Sequence, residues 1–85
     1  MPVSRFVLLL KKEEGFERVT DTICRLFEGE GWSVNRTYRT DYVLIRPKTL
    51  YKDRREVVAA FRKFITKELY LDRLVLTDSL DTVTR

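Results

Sequence analysis

A chain of 85 residues has room for one domain, and 44% apolar with 35% charged residues of mixed sign describes a folded chain rather than a disordered one. A single cysteine excludes an internal disulfide, and the lack of any histidine removes the commonest general base and metal ligand. The net charge of +4 is unevenly spread: residues 13–30 carry six acids against two bases, whereas residues 31–55 carry seven bases against two acids.

The chain opens on an apolar run from Val3 to Leu10, bounded by Pro2 and by Lys11-Lys12. Both parities are apolar, which predicts a strand with neighbours on both edges. The stretch FVLLL is too short to span a bilayer or to form the apolar part of a signal peptide, so a cytoplasmic location is expected. Residues 14–28 predict a helix, with Phe16, Val19, Ile23, Leu26 and Phe27 on one face and Glu14, Glu17, Asp21 and Glu28 as an acidic stripe opposite. Gly29 and Gly31 end it.

From Trp32 to Arg39 the residues alternate, as in a strand with one wet face at a sheet edge. Tyr42 to Arg46 is again apolar on both parities, and the two runs predict a hairpin around residues 39–41. Pro47 closes the second run because it cannot donate to a ladder. Asp53 followed by Glu56 predicts a capped helix start, and Val57, Val58, Phe61, Phe64, Ile65 and Leu69 carry the helix to about Tyr70. A last short strand is expected at residues 74–77, with a polar tail from about Asp78.

The order β-α-β-β-α-β predicts a ferredoxin-like α+β sandwich: one domain over residues 1–85, with a four-stranded antiparallel sheet and both helices on one face. In that arrangement the first and third strands are central, and these are the two runs apolar on both parities. RNA-recognition motifs share this strand order. Phe6 matches their first-strand aromatic, but the third-strand stretch RTDYVLIR offers only Tyr42 and no glycine, so membership does not follow.

Enzymatic activity is not expected, and neither a cofactor nor a metal is called for. One cysteine cannot build a zinc site, and no histidine is present to activate Cys24. The turn after the first strand, Lys11-Lys12-Glu13-Glu14-Gly15, has one glycine and two acids, a poor phosphate cradle.

Binding is the expected function, and nucleic acid, RNA or DNA, the expected partner. Cations track phosphates and flat rings stack on bases. Arg36, Arg39, Arg46, Lys48, Lys52 and Arg55 are candidate phosphate contacts, and Tyr38 and Tyr42 candidate stacking residues, on a projecting hairpin and the start of the second helix. The alternative is an adaptor or inhibitor that docks on a larger protein. A sheet covered on one side leaves one parity of its central strands bare. Either parity is apolar, Phe6, Leu8 and Leu10 or Val7 and Leu9, with Leu44 or Val43 and Ile45 nearby; Phe6, Leu8, Leu10 and Leu44 are the candidate partner face, with a homodimer the simplest way to cover it.

Overall fold

The computed structural model describes residues 6–49, 51–66 and 68–77. Their order is β1 (Val7–Lys11), α1 (Glu17–Gly29), β2 (Ser33–Asn35), β3 (Tyr42–Arg46), α2 (Arg54–Arg62), α3 (Glu68–Leu71) and β4 (Leu74–Thr77). The strands form one antiparallel sheet in the order β2-β3-β1-β4, so the chain has the expected ferredoxin-like arrangement with β1 and β3 central. The start of the expected first strand at Val3 and the tail from Asp78 lie outside the described residues. No helix among the described residues is long and apolar enough to cross a membrane.

Register decides which parity of each strand meets the helices, because residues directly opposite in an antiparallel pair share a face. Leu8 lies opposite Ile45 and Leu76, and Leu10 opposite Val43 and Leu74. This set packs with Ile23, Cys24 and Phe27 of α1 and with Val57 and Phe61 of α2, forming the core. The other face carries Val7, Leu9 and Lys11 from β1, Tyr42, Leu44 and Arg46 from β3, and Val75 and Thr77 from β4.

Helix α1 begins at Glu17, three residues later than its apolar spacing suggests. Gly15 adopts φ +88°, a left-handed conformation that forms a turn and holds Phe16 N–H on the Glu13 carbonyl at 3.0 Å. The helix ends in a Schellman motif. Gly31, at φ +89°, donates to the Glu28 carbonyl at 3.0 Å, and Trp32 donates to that of Phe27, also at 3.0 Å. The apolar contact that accompanies this motif is present too, with the Phe27 and Trp32 ring centroids 4.9 Å apart. One glycine thus ends the helix and turns a tryptophan back into the core, where it is 5% exposed.

Strand β2 stops at Asn35, four residues short of the expected end. The Asn35 side-chain oxygen accepts from Thr37 N–H and from the Thr37 hydroxyl, both at 3.1 Å, and this local turn competes with the ladder. Helix α2 starts as predicted: Asp53 accepts from Glu56 N–H at 3.1 Å, and the Glu56 carboxylate accepts from Lys52 N–H at 2.6 Å. The single helix expected to reach Tyr70 is broken after Arg62. The stretch between α2 and α3 includes Ile65-Thr66, adjacent β-branched residues with weak helix propensity, and Ile65 is buried in the core.

Arg73 ties the far end of the chain to the β1–α1 connection. Its guanidinium donates to Glu13 at 2.8 Å and lies 3.9 Å from the centroid of the Phe16 ring, with only 9% of the side chain exposed. That hydrogen bond, with the Arg73 and Lys11 charges, holds the Glu13 carboxyl below the usual carboxylate range despite some desolvation.

Candidate nucleic-acid interface

The expected interface divides into two regions that flank β3. The first is the loop from Arg36 to Asp41. The expected projecting arm is not formed there, because the loop is held against the body of the protein. Lys12 donates from Nζ to the Arg36 carbonyl at 2.6 Å and to the Arg39 carbonyl at 2.9 Å. The Arg36 guanidinium turns to α1 and bridges Glu28 at 2.8 Å and Asp21 at 3.3 Å. Arg39 pairs with Asp41 at 3.1 Å. Tyr38 packs on the Val7–Leu44 cluster with its hydroxyl buried and without a hydrogen-bond partner among the described residues. Arg36, Tyr38 and Arg39 are therefore engaged within the chain, by acids of α1, apolar residues of the sheet and the loop's own Asp41 respectively.

The second region runs from Arg46 to Arg55, where the chain leaves the sheet and enters α2. Arg46 is half-buried on the sheet face turned away from the helices, opposite Ser33 of β2. Tyr42 stands on that same face, half-buried and opposite Lys11. Lys48, Lys52, Arg54 and Arg55 are exposed, and among the described residues none of their side-chain cations pairs with an acid. Arg54 joins the candidate contacts here, because it too is exposed.

The expected partner face is corrected by register. Phe6, Leu8 and Leu10 lie beneath the helices in the core, and only Leu44 of that set faces the other way. On that other face Val7 and Leu44 are already buried within a single chain, at 1% and 3% exposed. Val75, at 49%, and Phe16, at 38%, are the exposed large apolar residues among those described. Among the described residues, Val75 is the one large apolar side chain left exposed on that face.

The chemistry available is that of charge and rings. Cys24 is fully buried, and burial pushes its thiol up, an effect the nearby Arg36 charge only partly offsets, so it stays a neutral packing group. No cluster of three acids or cysteines able to hold a metal ion occurs among the described residues.

One feature was not apparent from residue spacing. A cleft of about 160 Å³ lies where Gly31-Trp32, the β3–α2 connection and the end of α2 meet, lined by Glu30, Trp32, Lys48, Tyr51, Lys63 and Phe64. Alternation placed Trp32 in an edge strand. The signal that locates it correctly is the glycine before it, the mark of a Schellman cap.

Comparison with protein-family models, curated proteins and solved structures returns no match.

Proposed function

We propose that this protein is a non-enzymatic nucleic-acid-binding domain, and that it contacts phosphates through residues 46–55 rather than through the loop at 36–41. The observation that carries the reading is the contrast in pairing. Lys48, Lys52, Arg54 and Arg55 are exposed and their side-chain cations pair with no acid among the described residues, whereas Arg36 and Arg39 are tied to acids. Lys52, Arg54 and Arg55 also crowd the first turn of α2, where the helix dipole disfavours cations. Asp53 and Glu56 offset part of that cost, and a bound phosphate chain offsets more. Arginine adds a planar fork that grips phosphate with two hydrogen bonds.

The test is a salt-titrated binding curve with labelled oligonucleotides. Replacing Lys48, Lys52 and Arg55 together by glutamine should lower affinity by about 10- to 100-fold at low salt and flatten the slope of log K against log salt by about 2. Replacing Arg36 and Arg39 by glutamine should leave affinity within about threefold of wild type. A triple variant that binds as wild type, or a wild-type protein that ignores nucleic acid at low salt, overturns the reading.

A further inference from the structure

The cleft beside Trp32 has a composition that the phosphate-contacting surface alone does not call for. One wall is aromatic: the Trp32 and Tyr51 ring centroids are 6.3 Å apart at 36°, and those of Trp32 and Phe64 are 6.0 Å apart at 73°. Trp32 is largely buried, yet its indole N–H makes no hydrogen bond among the described residues and is not among the sealed polar atoms. A tryptophan donor left open in this way is free to hydrogen-bond a ligand that reaches it.

The rim carries charge. The Lys48 side chain runs across Gly31, with its Cδ 3.1 Å from where a Cβ on that glycine would stand and its Nζ 3.9 Å from the same point. A larger residue at position 31 would crowd the stem that brings this ammonium to the cleft. Lys63, exposed near the end of α2, supplies a second cation, and Glu30 supplies the one carboxylate. Flat rings, a free N–H donor, two ammonium groups and one acceptor match a ligand that is planar, edged with polar atoms and flanked by negative charge. The volume suits one ring-sized group, being well below the roughly 300–1,000 Å³ of drug-sized sites.

We infer that the protein selects single-stranded nucleic acid, with one unpaired base entering this cleft against Trp32 and Tyr51 and its flanking phosphates on Lys48 and Lys63. The inference rests on the nucleic-acid reading above, since Lys48 belongs to both surfaces. A base held in a duplex is stacked on both sides and cannot reach such a wall, whereas every unpaired base has a free face. Glu30 can accept from the N–H groups of a base edge, and Trp32 can donate to its acceptors.

Trp32 is the only tryptophan in the chain, so all tryptophan emission comes from a residue that lines this cleft. A mixed-sequence 12-nucleotide single strand and the matching duplex are titrated against the full chain, with affinity measured separately by anisotropy. The expected result is saturable quenching of Trp32 by the single strand, which binds about tenfold or more tightly than the duplex. Tyr51→Leu should weaken single-strand binding about tenfold and shrink the quenching, and Lys63→Gln should weaken it about threefold. Lys63 is exposed, so its variant should melt as wild type and keeps the test independent of folding. Trp32 emission unchanged at saturating single strand overturns the cleft site and leaves the basic-surface reading standing. Equal affinity for the duplex overturns the strand selectivity, and binding of neither strand overturns both readings.

Discussion

On one side of β3 the loop at 36–41 holds two arginines and a tyrosine. On the other, the connection at 47–55 holds two lysines, two arginines and a tyrosine. In composition the two stretches are close to interchangeable. In the fold, Arg36 spans two acids of α1, Arg39 closes on Asp41, and Lys12 fastens the loop by two carbonyls. The connection is tied through its backbone at the α2 cap, but its four cationic side chains are exposed and none forms an ion pair among the described residues. The difference lies in the neighbours. The loop is packed beside the acidic stripe of α1, and the connection is not. A basic residue is a candidate for a polyanion only after its own protein has declined it.

Stability measurements can break or sharpen that contrast, and urea unfolding reads all three variants below. The largest effect belongs to Lys12→Met, which removes a charged donor from two loop carbonyls and should cost about 1–2 kcal/mol. Next comes Arg36→Ala. Its bridges are about two-fifths exposed and screened by solvent, so about 1 kcal/mol is expected, with the cost shrinking as salt rises. The smallest is Lys52→Gln, which should leave stability within about 0.5 kcal/mol of wild type. If Lys52→Gln costs as much as Arg36→Ala, the connection's cations are tied down as well and the two regions are not different in kind.

Much of the architecture could be read from residue order. The strands at Tyr42–Arg46 and at residues 74–77 match their expected bounds, and the Asp53 cap forms as its spacing implies. What alternation could not settle was the inward face of β1, because both its parities are apolar. The deciding information lay one strand further on: Val34 sits between the polar Ser33 and Asn35 and pairs with Ile45, which in turn pairs with Leu8. Chaining those pairs assigns Leu8 and Leu10 to the core and would have withdrawn them from a partner face. The interface was harder to read for a different reason. Periodicity reports burial along one element, whereas the pairing of Arg36 with Asp21 and Glu28 depends on where a loop falls relative to a helix. The Asn35 turn fixes that placement by ending β2 early.

The central position of β1 has a consequence for how the molecule is made. Leu10 sits between Val43 and Leu74, so the first strand synthesised is flanked by one partner from mid-chain and one from near the end. Until Leu74 leaves the ribosome, the VLLLK segment keeps at least one open edge, and its apolar side chains lack their full lining. Closure of the sheet therefore waits on β4, and the segment around β1 is the stretch a chaperone would most need to shield until then.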